Sequence, residues 1–338
     1  MRTLRNAALA ALAALALAAP AWGAEDALLR EAKKEGKVLW YTAVATSVAQ
    51  NTCKKFIAKN LGVTCTVHRD GSGPLYRRVL QEAQSGVNVA DLLDTADTGY
   101  FLRLRKDHLA PHHPQEIKKF HPSFKTDHGF WHFYRATIVV PYYNTKKVSA
   151  AEAPKSWKDL AAPRFQGKLA QAHPAYSGNI TLQMLTLEKI LGWGYFERIA
   201  SLKPNITQSS LGNIPIVARG EADAGAGSPL YAVLNEIKKG EPLKVFYPPE
   251  GVPLNTMPFG VMKKAPHPNA ARLFMDFIFS REGQQIIADD HLYSGHPEVK
   301  HPEALPDLKS LKLLDLDPAE VEEKSKDLKE RFQKAFGV

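Results

Sequence analysis

The chain has 338 residues and a formal net charge of +9 at pH 7, with 44% hydrophobic and 23% charged residues. This composition is that of an ordinary globular protein, and the length exceeds what one hydrophobic core usually serves, so we expect two lobes. The basic residues are scattered along the chain, which argues against a nucleic-acid-binding protein.

The N-terminus has the layout of a secretory signal peptide over residues 1–23. Arg2 and Arg5 precede an Ala/Leu run, and small residues before Ala24 predict cleavage between Gly23 and Ala24. The apolar run of about 13 residues is shorter than the roughly 18 to 20 that span a bilayer. We therefore expect a protein of the periplasm with no stable membrane insertion.

The sequence contains two cysteines, Cys53 and Cys65. In an oxidising compartment, a pair this close predicts a disulfide between a helix and the strand after it. Two free buried thiols are the alternative. The spacing is not C-x-x-C, and there is no second cysteine pair, so a zinc or redox site is not indicated.

Strands and helices alternate in the first part of the chain. We predict strands at 37–43, 63–69 and 89–96, and helices at 47–60 and 74–86. Such alternation predicts a mostly parallel sheet covered on both faces. Ligands of such sheets bind at the carboxyl ends of the strands, here after Tyr41, Arg69 and Thr95.

Two extended runs in the second part of the chain predict that it crosses twice between the lobes. Residues 106–134 show no clear period, and the extended run 135–145 and the run 253–262 are the candidate crossings. Between and after them we predict strands at 168–172 and 221–227 and helices starting near Asn179, Leu230, Asn269 and Pro318. The predicted division is 24–135 with 257–338 for the first lobe and C-terminal helix, and 136–256 for the second lobe.

Six segments in order carry a family resemblance: VLWYTA, GSGPLYRRVLQEAQSGVNVADLLDTAD, IVVPYYNTKKV, SWKDLAAPRFQGKLAQAHPAYSGN, IVARGEADAG and MPFGVMKKAPHPNAARLFMDFIFSREGQQII. Together they resemble the extracellular solute-binding proteins of the ferric-ion-binding type. The resemblance implies an α/β, two-lobed periplasmic-binding-protein fold of type II, each lobe having a mixed, mostly parallel sheet with helices on both faces. It also implies a monomer without catalysis that delivers a small molecule or ion to an ABC permease at the inner membrane.

The resemblance does not extend to the iron ligands of that family. Its His falls on Ala45, its Glu on Ala96, and its tyrosine pair on Leu230 and Tyr231. Because a small trivalent cation requires anionic oxygens, iron binding of the family's usual kind is not expected, and no cofactor is predicted. The alternative is ferric ion as the transported ligand, held by a rearranged set: Tyr41, Asp97, Tyr142, Tyr143 and Tyr231.

The anion site of the family is better preserved. The family holds an anion at a Ser-Gly turn that opens a helix, and Tyr176, Ser177, Gly178 and Asn179 stand at that place here. Helix N-termini attract anions through unpaired N–H groups and the helix dipole. The alternative is an ordinary helix cap formed by Ser177.

Further candidate ligand contacts follow the predicted strands. Gly71, Ser72 and Gly73 open a helix in the same manner as the Ser-Gly turn. The other candidates follow a strand end or lie beside the turn: Thr42, Asp97, His173 and Tyr231. Most of the twelve histidines are interpreted as surface residues, since they form no H-E-x-x-H motif.

These observations predict a binding protein for a small polar, anionic solute. A ferric-ion binder and a ligand-presenting sensor subunit are the alternatives. An enzyme is not predicted, because the sequence has no G-x-S-x-G nucleophile elbow and no zinc signature.

Overall fold

The computed structural model describes residues 21–338. Residues 1–20 of the predicted signal peptide therefore lie outside the described residues. The predicted cleavage point, Gly23–Ala24, lies in the first turn of a helix over Ala21–Glu35.

The first part of the chain follows the predicted alternation. In chain order, its elements are α1 (Ala21–Glu35), β1 (Lys37–Thr42), α2 (Thr46–Ile57), β2 (Thr64–Arg69), α3 (Ser72–Gln84), β3 (Leu92–Asp94), α4 (Thr98–His108) and β4 (Leu109–Ala110). Helix α4 was not predicted. The irregular stretch after it contains short 3₁₀ turns at Gln115–Lys119 and Pro122–Phe124.

The remaining elements include both predicted crossings as strands. They are β5 (His132–Asn144), β6 (Leu169–Ala172), α5 (Gly178–Leu191), α6 (Trp193–Ser201), β7 (Asn205–Thr207), α7 (Asn213–Ala218), β8 (Ala224–Pro229), α8 (Leu230–Lys238), β9 (Leu243–Val245), β10 (Val252–Met262), α9 (Pro268–Phe279), α10 (Arg281–Asp289), β11 (Leu313–Leu314) and α11 (Pro318–Phe336). Further 3₁₀ turns lie at Lys158–Ala161, Pro163–Phe165 and Leu308–Ser310.

Strands β5 and β10 join two halves of the sheet. The strand order is β2-β1-β3-β10-β5-β8-β6-β7, with β4 and β11 on β10 and β9 on β5. β1 runs parallel to β2 and β3, and β6 runs parallel to β7 and β8. β5 and β10 are antiparallel, with Arg135 opposite Met257 and Ala136 opposite Thr256. The predicted lobe boundaries fall on these paired residues.

Aromatic residues fill the core of the first half, and helix α11 contributes to the core of the second. Trp40 and Phe259 pack against each other and against Phe274 of α9. In the second half, Leu328 and Phe332 of α11 belong to the buried cluster. Helix α11, which the sequence placed with the first lobe, thus packs against α4 and also against α5 and α6.

A disulfide links α2 to β2. It joins Cys53 and Cys65, whose Cα atoms are 5.3 Å apart. The bond fixes the helix to the edge of the parallel sheet, the connection that the sequence predicts. Across residues 21–338, no helix combines the length and apolarity that crossing a membrane requires.

Candidate functional site

The carboxyl ends of strands from both halves meet at a narrow cleft. The cavity there has a volume of about 10 Å³, room for about one water molecule. Its lining is rich in serine and arginine and consists of Ala43, Arg69, Gly71, Ser72, Ala96, Arg135, Tyr176, Ser177, Asn179, Ser209, Ser210, Leu211, Pro229 and Tyr231. Six of the eleven predicted ligand residues are in this set: Gly71, Ser72, Tyr176, Ser177, Asn179 and Tyr231.

Helix α3 presents its N-terminus to the cleft from the first half. Gly71 occupies the N-cap position and forms no side-chain cap. The Ser72 hydroxyl oxygen accepts a bond from the Ala96 N–H at 3.0 Å, so the hydroxyl proton is free to be donated. The first N–H groups of a helix have no partners within the helix, so this end of α3 favours negative charge.

Helix α5 presents its N-terminus from the second half. Ser177 occupies the N-cap position, but its side chain does not cap the helix. Its hydroxyl instead donates to the Ser210 hydroxyl oxygen at 3.1 Å, which places two hydroxyls side by side in the cleft lining. The capping alternative for Ser177 is therefore not realised, and a second uncapped helix end faces the cleft.

Two arginines add positive charge to the lining. The guanidinium of Arg135 is buried and pairs with Asp94, at 3.2 Å between Nη2 and Oδ2. The half-buried Arg69 donates from Nε to the Val44 carbonyl oxygen at 3.3 Å, and no described carboxylate lies within 4.0 Å of its guanidinium. None of the described residues that line the cleft is acidic. The site therefore favours an anion.

Glycine allows the two halves to approach backbone to backbone. A Cβ atom placed on Gly71 would lie 2.3 Å from the Tyr176 carbonyl oxygen, and one on Gly73 would lie 2.0 Å from the Ala175 carbonyl oxygen. A Cβ on Gly178 would lie 2.6 Å from the Ala96 carbonyl oxygen. Each of these distances is shorter than any real Cβ contact, so a side chain at these positions would hold the halves apart.

Gly73 and Gly178 therefore shape the cleft through their backbone and do not line it. Thr42 is also outside the lining: its hydroxyl oxygen accepts from the Val44 N–H at 3.0 Å and so organises the turn after β1. His173 accepts at Nδ1 from the Ala175 N–H at 3.0 Å, and its ring packs on Phe332. Burial lowers the pKa of His173, with a smaller contribution from the charge of a nearby lysine.

Asp97 is directed away from the cleft. Its Oδ1 accepts from the Gly99 N–H at 3.0 Å and caps α4, the helix that was not predicted. Burial raises the pKa of the Asp97 carboxyl, an effect opposed by the positive charge of Lys329. Asp97 lines a different cavity from the one formed by the two helix N-termini.

The structure does not bring the alternative ferric set together. The Tyr41 hydroxyl donates to Glu82 Oε1 at 2.7 Å on the far side of α3, and the Tyr142 hydroxyl bonds with Ser228 at 3.1 Å. Tyr143 packs in the core of the second half, against Phe246. Of the set, Tyr231 alone lines the cleft.

Burial raises the pKa of two tyrosines of this set. The Tyr231 hydroxyl oxygen accepts from the Ala45 N–H at 3.1 Å. Burial raises the pKa of Tyr231, against the opposing charge of Arg135, and burial with a bond to Glu82 raises the pKa of Tyr41 to about 12. Within residues 21–338, no three or more His, Cys, Asp or Glu residues are grouped to hold a metal ion.

Four polar lining residues were not predicted. Arg69 ends β2 and is separated from the predicted Gly-Ser-Gly turn by Asp70 alone, so its position at a strand end was a usable signal. Arg135 lies within a crossing strand. Its burial could be anticipated only by knowing that Asp94 is its ion-pair partner. Ser209 and Ser210 follow β7, a strand of three residues that is too short to show periodicity.

A family model described as bacterial extracellular solute-binding protein matches residues 88–320. The match covers more than half of the chain. The chain belongs to this family. It is a periplasmic solute-binding protein of the ABC-transporter type, as predicted, and its family is one of binding proteins rather than enzymes.

Characterised relatives agree with this assignment and with the predicted type II fold. The solute-binding protein is 26% identical over 296 residues to the Fe(3+)-binding periplasmic protein of Serratia marcescens, covering 81% of this chain and 85% of that one. It superposes on the periplasmic binding protein AfuA from Actinobacillus pleuropneumoniae, with fructose-6-phosphate bound, at a TM-score of 0.82 and 22% identity, over 90% and 99% of the two chains. Iron-bound HitA from Pseudomonas aeruginosa gives a TM-score of 0.74 at 25% identity, over 89% and 99%.

Proposed function

We propose that the cleft binds a small organic anion, a phosphate monoester or a carboxylate, for import. The observation that carries this proposal is the meeting of two uncapped helix N-termini, at Gly71 and Ser177, with the half-buried Arg69. Backbone N–H groups, helix dipoles and a guanidinium all stabilise negative charge. Serine hydroxyls supply further donors for the several oxygens of a phosphate or carboxylate.

The size of the cavity requires the two halves to separate before a solute enters. A volume of about 10 Å³ is far below the roughly 300 Å³ of a small ligand pocket. We expect rotation about the two crossings, near Arg135–Tyr143 and Gly251–Thr256, and closure on the ligand. In this proposal the chain acts as a monomer in the periplasm, after cleavage at Gly23–Ala24, and its closed form docks on an ABC permease at the inner membrane.

A phosphorylated ligand is supported by the AfuA likeness, since that structure holds fructose-6-phosphate. Ferric ion is less well supported. Among the described residues, the cleft lining offers no carboxylate, and its only phenols are those of Tyr176 and Tyr231. A trivalent ion next to Arg69 and two positive helix ends would meet repulsion, whereas an organic anion would be attracted.

The test is the affinity of the Arg69→Gln variant. The mature protein is first titrated calorimetrically with fructose 6-phosphate, 3-phosphoglycerate, inorganic phosphate, citrate and ferric citrate. Charged hydrogen bonds contribute about 1.5–3 kcal/mol, so the variant should bind the best anion about 10- to 150-fold more weakly. Arg198→Gln, at an exposed arginine of α6, is the matched control and should leave the affinity unchanged. Equal affinity of wild type and Arg69→Gln would exclude Arg69 from the site.

A further inference from the structure

The hydroxyl groups of the anion cleft are oriented to donate. Six hydroxyl groups line the cleft, and four of them already accept a hydrogen bond at 3.0–3.2 Å: those of Ser72, Ser209, Ser210 and Tyr231. The donors to them are the N–H groups of Ala96, Leu211 and Ala45 and the Ser177 hydroxyl. Among the described residues, no acceptor is in place for the protons of these four hydroxyls, so each proton is available to a ligand.

The amide of Asn179 is oriented in the same way. Asn255 Nδ2 donates to the Ala96 carbonyl oxygen at 2.8 Å and to Asn179 Oδ1 at 2.9 Å. Because the amide oxygen of Asn179 is thus engaged, its Nδ2 group is the part that is left for a ligand, and it has no partner among the described residues. Asn179 is only 9% exposed, and a buried donor without an acceptor is costly, so this group calls for a ligand atom that accepts.

The lining lacks a strong acceptor to match these donors. None of its described residues is Asp, Glu or His. The Tyr176 carbonyl oxygen lies against the backbone of Gly71, where an added Cβ would be 2.3 Å from it. Ser177 retains an unused hydroxyl oxygen, but a neutral hydroxyl accepts more weakly than a carboxylate. A ligand oxygen that carries a proton would therefore face donors and lose a hydrogen bond.

Charged and titratable groups surround the cleft. Those in the lining are Arg69, Arg135, Tyr176 and Tyr231, and Arg77 lies over the Tyr176 ring. Those behind the lining are Asp70 beside Gly71, Asp94 paired with Arg135, Asp97 against Gly178, and His173 against Tyr176. A change in the charge of any of these groups acts also on an anion that never carries a proton, so such an anion is the reference for the pH dependence of binding.

We propose that the cleft binds a phosphate monoester as its dianion and discriminates against the form that carries a proton, with Asn179 as a specificity-determining residue. This inference rests on the proposed function and narrows its ligand class. A carboxylate offers about four lone-pair sites, fewer than these donors can fill, whereas the three oxygens of a phosphate monoester offer more. Because the second pKa of a phosphate monoester is about 6, the ionisation of the ligand itself controls binding between pH 5 and 7.

Methyl phosphate and methyl sulfate test this selectivity with the smallest organic body. Both have a tetrahedral head group, but methyl sulfate carries no proton between pH 5 and 7. Their dissociation constants for the mature protein are measured by calorimetry and by the NMR shifts of the Ser72 and Gly178 amides, which report on the cleft. From pH 7 to pH 5 the dianion fraction of a phosphate monoester falls about tenfold, so the affinity for methyl phosphate relative to that for methyl sulfate should also fall about tenfold.

Asn179→Asp replaces the free amide nitrogen with an acceptor and keeps the size of the side chain. An oxygen still faces Asn255 Nδ2, and a carboxylate in the first turn of α5 suits the helix dipole, so the fold should be retained. At pH 7 the variant should bind methyl phosphate about tenfold or more weakly than the wild type. Because the new carboxylate accepts the proton of the ligand, the relative affinity for methyl phosphate should no longer fall from pH 7 to pH 5. Asn205→Asp, at an exposed position of β7, is the matched control and should keep the wild-type values.

Two results would overturn the inference and leave the proposed function intact. One is a wild-type ratio of the two affinities that is the same at pH 5 and pH 7, because the cleft would then accept the protonated ester equally well. The other is an Asn179→Asp variant with the wild-type affinity and the wild-type tenfold fall, because Asn179 would then not determine the selectivity. An absence of Ser72 and Gly178 amide shifts with both esters is a different failure, since it would contradict the proposed function and the inference with it.

Discussion

Gly73→Ala should prevent full closure of the cleft. A Cβ at this position would lie 2.0 Å from the Ala175 carbonyl oxygen, and an ordinary contact begins at 3.4 Å, so the two backbones must separate by 3.4 − 2.0 = 1.4 Å. The atom that is struck belongs to the backbone of the opposite half and cannot rotate away. The same movement would break the bond between the Ala45 N–H and the Tyr231 hydroxyl, now 3.1 Å long.

The cost of this clash falls on the closed conformation. Overpacking typically costs about 1–3 kcal/mol, which corresponds to a loss of about 5- to 150-fold in affinity for a ligand that binds the closed form. The stability of each half should change little, because the clash disappears when the halves separate. Gly73→Ala should therefore weaken anion binding and increase the radius of gyration without lowering the unfolding temperature by more than a few degrees.

Calorimetry with the best anion and small-angle scattering measure the two effects. The matched control is Gly194→Ala on α6, where an added Cβ would lie 3.7 Å from Arg198 Nη1, the nearest atom outside the local helix backbone. Wild-type affinity and wild-type radius of gyration in Gly73→Ala would refute the reasoning that this contact belongs to the closed, ligand-binding state.

Three further predictions concern the cleft, the disulfide and a buried histidine. Ser177→Ala should weaken anion binding by about 1–2 kcal/mol by calorimetry, and unchanged affinity would remove this hydroxyl from the site. Replacing Cys53 and Cys65 by serine opens a loop with a sequence separation of 12 and should lower the free energy of unfolding by about 3 kcal/mol in urea. Ligand affinity should be retained, and loss of binding in the folded variant would show that the bond also supports the cleft. Burial and neighbouring histidines lower the pKa of His132 from 6.5 to about 4, so the unfolded chain takes up its proton first as the pH falls. The contribution of neutral His132 to the free energy of unfolding is thus fully present above pH 6.5 and is lost as the pH falls toward 4. Between pH 7 and pH 4.5, the free energy of unfolding should therefore fall by about 2–3 kcal/mol less in His132→Asn than in the wild type. Parallel pH profiles of the two proteins would contradict this assignment.

The regular elements with strong periodicity could be predicted from the sequence. The strand over Lys37–Thr42, both crossings and the helix over Pro318–Phe336 agree with the structure within a few residues. Helix α10 was missed because Ser280 alone separates it from α9, and that serine ends one helix while its hydroxyl oxygen accepts from the Gly283 N–H of the next.

Apart from Tyr231, the cleft residues were predicted only at turns where the backbone itself forms the site. The Gly-Ser-Gly and Ser-Gly turns mark helix starts at strand ends, and this signal is local in sequence. Asp97 also follows a strand, but its carboxylate caps α4. Because α4 was not predicted from the sequence, this capping role of Asp97 was not predicted either. Arg69 and Arg135 resemble surface charges until the sheet order places them opposite α5.

The central claim is that the cleft selects an anion, and a thermal-shift measurement tests it most directly. The mature protein is heated with phosphate monoesters or carboxylates, each at about 100 times its dissociation constant, where binding adds about 2.7 kcal/mol, and separately with ferric ion at the same concentration. The account predicts a rise of several degrees with an organic anion and no rise with ferric ion alone. For Arg69→Gln at the same anion concentration it predicts a rise at most about half as large, since tenfold weaker binding leaves about 1.4 kcal/mol. A rise and a red colour with ferric ion alone would contradict it, since tyrosinate ligands would then have to assemble in the cleft.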